Sequence, residues 1–164
     1  MLRSLFLSAL FVLSAPLAKA CDLALALAVD VSGSVDAKEF RIQMDGLAEG
    51  LRDPLVSEAL VRGKAHLMLV QWTGTSRQQI SLPWTGITSF SDIDRFADQV
   101  ATSPRVWRNF STAIGEALLV TMDAFADAPD CTRNLIDLSG DGFSNEGVEP
   151  IRLHPALPVK VNKG

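Results

Sequence analysis

The sequence predicts an α/β fold: a doubly wound, mainly parallel sheet with helices on both faces. Three observations lead there. The stretch from Leu23 to Val29 is wholly apolar, and a strand that reads as continuously hydrophobic is one buried on both faces, as in parallel sheets covered by helices. Two further apolar runs, Lys64–Thr73 and Leu135–Leu138, alternate with segments of helical periodicity, the pattern of βα units. Finally, the first run ends abruptly in Asp30, Ser32 and Ser34, three oxygen-bearing side chains at alternate positions. Ligands of such sheets bind outside the carboxyl ends of the strands, which is where these three fall.

The outer bounds come from composition. A chain of 164 residues that is 48% hydrophobic and 21% charged suits a single globular domain. Residues 1–20 read as a signal peptide: Arg3 is the positive n-region, Leu5–Leu17 the apolar h-region, and Ala18-Lys19-Ala20 a small-x-small cleavage site. A membrane anchor is the alternative, but the run falls short of the ~18–20 residues that cross a bilayer. Lipidation at Cys21 fits less well, because Ala18-Lys19 lacks the branched and small residues usual before a lipidated cysteine. Without the leader, thirteen basic face nineteen acidic side chains, a net charge of −6. That balance argues against nucleic acid and anionic membranes as partners. The expected compartment is the bacterial periplasm or the cell exterior, with no membrane span after cleavage.

Each element has its own signal. Val35-Asp36 opens a helix whose Phe40, Met44, Leu47 and Leu51 recur at helical spacing, and Arg52-Asp53-Pro54 stops it. Lys64–Thr73 is the second strand and Gly74 a turn. Gln78–Trp84 is a short third strand closed by Pro83, a residue confined to sheet edges and strand ends. Ser89 or Ser91 caps a helix with Ile93, Phe96, Ala97 and Val100 on one face. Pro104–Ser111 is a loop, Ile114, Leu118, Met122 and Phe125 mark the next helix, and Pro129-Asp130-Cys131 breaks it. Leu135–Leu138 is another strand, leading into Ser139-Gly140-Asp141-Gly142. After Ile151-Arg152 the expected helix is replaced by a stretch with Pro155 and Pro158, and Val159–Asn162 offers only the start of a strand. The sequence thus divides into a leader, a domain over 21–152 and an aberrant or truncated tail over 153–164. A sheet ending there leaves a strand edge uncovered and Ile114 and Leu118 partly exposed. Trp72, Trp84 and Trp107 read as core or rim packing.

Two cysteines are present, Cys21 and Cys131. Cys21 lies nine residues before Asp30 and Cys131 ten before Asp141. If their strands are parallel neighbours, the cysteines stand side by side and an exported protein oxidises them; two free buried thiols are the alternative. With no Cys-x-x-Cys and two histidines, a zinc site has almost no support.

Asp30, Ser32, Ser34, Thr112 and Asp141 fall at three strand-to-helix junctions, which meet at one crevice in a doubly wound sheet. All offer oxygen, the donor of hard cations: Mg²⁺ first, then Mn²⁺ or Ca²⁺. Two carboxylates and three hydroxyls leave an open position for an outside anion. Taken alone, Asp-x-Ser-x-Ser could equally be a helix N-cap, with Ser34 or Asp36 as the capping oxygen. Residues 137–148 imitate an EF-hand loop but carry Ser144 and Val148 where that loop needs an apolar residue and Glu. A serine nucleophile would need a base, and His66 reads as a satisfied core histidine while His154 sits in the aberrant tail.

At these residues the chain resembles the von Willebrand factor type A domain. Asp30-Val31-Ser32-Gly33-Ser34 is similar to its Asp-x-Ser-x-Ser motif, Thr112 to its loop threonine, and Asp141-Gly142 to the Asp-Gly that ends its fourth strand. The likeness covers about residues 22–152 and looks closest to uncharacterised exported bacterial members. It implies a Rossmann-like fold with the first and fourth strands adjacent. It also implies that the five residues form a metal-ion-dependent adhesion site, whose shell is completed by an Asp or Glu of a protein partner. The expected function is therefore cation-dependent protein binding, not catalysis. The alternative is a metal-dependent hydrolase using the same site. In lacking the family's last helices and strand, the tail departs from the pattern.

Overall fold

A computed structural model describes residues 21–140 and 142–156. The leader over 1–20, Asp141, the side chain of His154 and the strand start at 159–162 lie outside the described residues. The described elements are β1 (Cys21–Asp30), α1 (Ala37–Arg52), α2 (Pro54–Arg62), β2 (His66–Trp72), β3 (Gln78–Gly86), α3 (Phe90–Thr102), α4 (Ile114–Asp123) and β4 (Cys131–Ser139). They build a four-stranded sheet of order β3-β2-β1-β4. β1 runs parallel to both β2 and β4, and β3 joins β2 antiparallel. Pro83 is accommodated because β3 is an edge.

β1 is central and two-sided, and its alternation of Leu with Ala divides the core. Leu27, Val29 and Val31 pack with Phe40, Met44 and Leu51 of α1, Leu60 of α2, and Ile93, Phe96 and Val100 of α3. On the opposite face, Ala26 and Ala28 join Met68, Val70 and Trp72 against Ala117 and Leu118 of α4. Small β1 side chains on that face let the short α4 sit close to the strand.

Pro54 does more than end a helix. Asp53 closes α1 and, through its carboxylate, caps the amides of Leu55 and Val56, so Pro54 takes the first position of α2. A proline costs nothing there, since its missing N–H would have no partner. The sequence reading had a stop where the chain makes a corner. Ser89, not Ser91, caps α3. Past α4 the chain tightens into a 3-10 turn over Ala124–Asp127, and Pro150–Ala156 is also 3-10 instead of irregular tail.

The exposure expected on α4 is found at Ile114 but not at Leu118. Ile114 is half-buried and Leu118 only 6% exposed, whereas Leu119 and Val120 are each 37% exposed. Among the described residues β4 pairs with β1 alone. At the other end of these strands Cys21 and Cys131 are register partners and form a disulfide, as the spacing argument required.

Candidate metal centre at the carboxyl end of the sheet

The loop from β1 to α1 is folded by its own side chains. Asp30, the last residue of β1, is fully buried, and its Oδ1 accepts the Ser32 N–H at 2.7 Å. Ser32 is buried too, with its hydroxyl 3.1 Å from that of Ser34. The helix that follows is capped by neither serine. Asp36 Oδ1 accepts the amides of Lys38 and Glu39 at 2.7 and 2.8 Å, and Glu39 answers by accepting the Asp36 N–H at 2.7 Å. This reciprocal capping box holds the Asp36 carboxyl below its ordinary value, the Glu39 amide contributing most. With the cap supplied by Asp36, capping does not explain the Asp-Val-Ser-Gly-Ser side chains.

Two polar residues from elsewhere hold this loop by its backbone. Gln43 Nε2 donates to the Asp30 carbonyl at 3.2 Å, and one Arg105 nitrogen donates to the carbonyls of Val31 and Ser32 at 2.9 and 2.8 Å. Burial lowers the Arg105 pKa and nearby Arg108 lowers it further, while Asp30 and Asp36 pull it back up. A guanidinium within electrostatic reach of Asp30 partly offsets the cost of a buried carboxylate.

The loop before α4 touches the first one backbone to backbone. Gly33 N–H donates to the Phe110 carbonyl at 2.8 Å, and a Cβ on Gly33 would stand 3.3 Å from that oxygen and 3.4 Å from Asn109 Cα. A side chain at Gly33 would require the neighbouring loop to give by a few tenths of an ångström. Thr112 is buried, its N–H donating to Asn145 Oδ1 and its carbonyl accepting the Asn145 N–H, both at 2.9 Å. Thr73 anchors the preceding residue by donating to the Ser111 carbonyl at 2.8 Å.

The segment after β4 closes over α4. No α4 side chain caps its start; Ser144 Oγ accepts the Ile114 N–H at 3.3 Å. Glu116 accepts the Val148 N–H at 2.9 Å, and a Cβ on Gly115 would lie 2.0 Å from the Val148 carbonyl, so any larger residue would push the segment away. Glu146 accepts the Thr75 N–H at 3.1 Å; hydrogen bonds from Thr75 and then Ser111 hold its carboxyl below the usual range.

Asp30, Ser32, Ser34 and Thr112 are thus brought to one end of the sheet. Asp141 lies outside the described residues, but its neighbours bear on the same place. A Cβ on Gly140 would stand 3.0 Å from Asp30 Oδ2, and one on Gly142 would stand 3.6 Å from Thr112 Oγ1. The donor chemistry fits a hard divalent cation: a buried carboxylate, the buried hydroxyls of Ser32 and Thr112 and the exposed one of Ser34, on loops that hydrogen-bond to one another. Sequence reasoning missed Gln43, Arg105 and Asn145. Asn145 follows Gly142 in a Gly- and Ser-rich stretch, where Asn bonding to backbone is expected; Gln43 and Arg105 act across the fold and left no local signal.

Solved structures share this architecture. Proximal thread matrix protein 1 from the mussel byssus superposes with a TM-score of 0.63 at 24% identity, over 88% of this chain and 38% of that one. Another structure of that protein has a zinc-occupied MIDAS motif, with a TM-score of 0.64, 19% identity and the same coverage. The von Willebrand factor type A protein from Catenulispora acidiphila matches with a TM-score of 0.59 and 18% identity, over 83% of this chain and 30% of that one. The corresponding domain of the pilus tip protein Mfa5 from Porphyromonas gingivalis gives 0.54 and 11%, over 76% and 39%. The chain therefore spans between 20% and 39% of the length of these and related solved chains. Among curated proteins, none matches the sequence. These likenesses to solved structures define a von Willebrand factor type A-like fold. More narrowly, the chain belongs to the family described as protein of unknown function DUF1194, whose model matches residues 20–161.

Proposed function

We propose that this is an exported binding domain that holds one divalent cation, Mg²⁺ foremost, through Asp30, Ser32, Ser34, Thr112 and Asp141. A hard cation held by so few protein oxygens keeps a coordination position for an outside carboxylate, and the partner is a protein supplying an Asp or Glu. The observation that carries the reading is the Asp30–Ser32–Ser34 loop, with Asp30 and Ser32 buried, Ser34 exposed and hydrogen-bonded to Ser32, and the helix that follows capped by Asp36 instead. The disulfide suits an exported protein, and no described helix is long and apolar enough to cross a membrane. An apolar rim suits a protein partner: Phe143, two residues after Asp141, is 94% exposed, and Phe110, two before Thr112, is exposed as well.

A hydrolase is the weaker reading. His66 opens β2, at the end of the sheet away from Ser32 and Ser34, so it is no base for either serine. The test is titration of Mg²⁺ and Mn²⁺ into chelator-stripped protein, with partner capture from the native exoproteome run with and without chelator. Saturable binding that Asp30→Asn abolishes, and capture lost on chelation, are expected. Failure of either metal to bind removes the site. Turnover of phosphate or ester substrates above the Asp30→Asn background replaces the binding reading with the hydrolytic one.

A further inference from the structure

At the amino end of the sheet a second cluster has different chemistry. Sγ of Cys21, Sγ of Cys131 and a ring nitrogen of His66 all lie within 4.8 Å of one another. Three adjacent strands supply them: β4 gives Cys131, central β1 gives Cys21, and β2 gives His66, whose register partner on β1 is Ala24. Both cysteines are buried and His66 is half-buried. The imidazole is not the satisfied core histidine expected from its apolar surroundings, for its Nδ1 is buried with no hydrogen-bond partner. Its Nε2 abuts Gly86, where a Cβ would stand 3.1 Å away. A buried polar nitrogen left unpaired is costly, and packing alone gives no reason to keep one beside a disulfide.

We propose that the dithiol form of this cluster is a zinc site in which Cys21 and Cys131 thiolates and the His66 imidazole bind one Zn²⁺, water taking the fourth place. A dithiol reductant opens the disulfide: the S–S bond breaks, two electrons and two protons pass to the cysteines, and the reductant leaves as its own disulfide. Zn²⁺ then displaces both thiol protons to solvent. Thiolate and imidazole are the donors this borderline-soft ion prefers, whereas the oxygen set at the other end of the sheet suits harder ions. The three ligands ride on hydrogen-bonded neighbouring strands, so breaking the S–S bond leaves them in place. The cluster thus has two alternative fillings, a covalent bond or a metal.

Cobalt(II) is the probe, because thiolate ligation produces a near-ultraviolet charge-transfer band that oxygen ligation does not. The purified protein is reduced with a phosphine, which opens the disulfide without adding a competing thiol, and titrated with Co²⁺. The band is expected to saturate at one metal per chain, to be absent from the oxidised protein, to vanish as Zn²⁺ displaces cobalt, and to persist in Asp30→Asn. His66→Ala, whose fold is checked by circular dichroism while the disulfide is intact, is expected to bind at least about 10–100-fold more weakly, the range that loss of even an outer-shell partner gives. No band in the reduced protein overturns the proposal, as does equal affinity in His66→Ala. So does reduction that unfolds the chain without recovery on adding metal, since an unfolded dithiol binding cobalt is not this site.

Discussion

At its carboxyl end the sheet meets loops whose inward side chains offer oxygen, held by hydrogen bonds that each involve one or two groups: Asp30 to Ser32, Asn145 to Thr112, Glu146 to Thr75. At its amino end, roughly 30 Å away along β1 by the strand rise, sulfur and imidazole meet and one covalent bond joins β1 to β4. The difference is one of adjustability. Many weak bonds can rearrange around an arriving ion and partner, whereas a bridge either exists or does not. One sheet thus separates a pliant end, where binding is proposed, from a stapled end.

The largest effect expected is at the stapled end. Replacing both cysteines with serine frees a loop with a sequence separation of 110 residues, which the chain-entropy model values at up to about 4–5 kcal/mol. Urea unfolding of oxidised wild type against the double variant measures it. A difference below about 1 kcal/mol would mean that the amino end is held by packing and that the contrast is overstated.

Next is the metal. At about a hundred times its dissociation constant, Mg²⁺ should stabilise the oxidised protein by roughly 2.7 kcal/mol. Asp30→Asn, which keeps an oxygen for the Ser32 amide but loses the charge, should gain nothing. Calorimetric melting with and without metal decides, and an equal gain in both proteins would place the ion elsewhere.

A smaller effect is expected of Asn145→Ala. It leaves the buried Thr112 N–H without its acceptor, a loss of about 1–3 kcal/mol, and should weaken Mg²⁺ binding as Thr112 drifts. Unchanged metal affinity alongside lost stability would make Asn145 structural only.

The legibility of the sequence follows the same divide. Asp30, Ser32 and Ser34 stood at the end of an apolar run, and cysteines equidistant from the strand ends pointed to the bridge, because both signals are local or follow from strand register. Stripes on α1 and α3 were readable for the same reason: Ile93, Phe96, Ala97 and Val100 are all buried as expected. α2 was lost because proline ends helices and also begins them, and the choice turned on Asp53. Exposure on α4 was read correctly at Ile114 and misplaced at Leu118, where the neighbouring Leu119 and Val120 are exposed instead, since which stripe is buried depends on packing against the rest of the fold. Arg105 and His66 act on groups more than forty residues distant in sequence, where no pattern connects them.

Acid should separate the two ends with the least perturbation. Glu146 and Asp36 have folded-state pKa values below their ordinary ones, so their contributions are full above the ordinary values of 4.5 and 3.8 and fall away as pH drops through the lower folded values. Asp92, lowered to about 2 by hydrogen bonds from Thr88 and Ser89, should release the α3 cap last. Amide NMR between pH 6 and 2 should show Thr75, Lys38 and Glu39 shifting while Ala24, Leu25 and Asn134, further into the paired β1 and β4, stay still. Movement at both ends together would show one cooperative unit.

The bridge also fixes how the domain would bear tension. A pull entering at residue 21 and leaving past β4 passes directly through the Cys21–Cys131 bond, so the chain between the two cysteines carries none of the load. That sheltered length contains Asp30, Ser32, Ser34 and Thr112, whereas Asp141 follows β4 on the loaded strand. Traction would run along β4 while the β1–β2–β3 ladder remains slack.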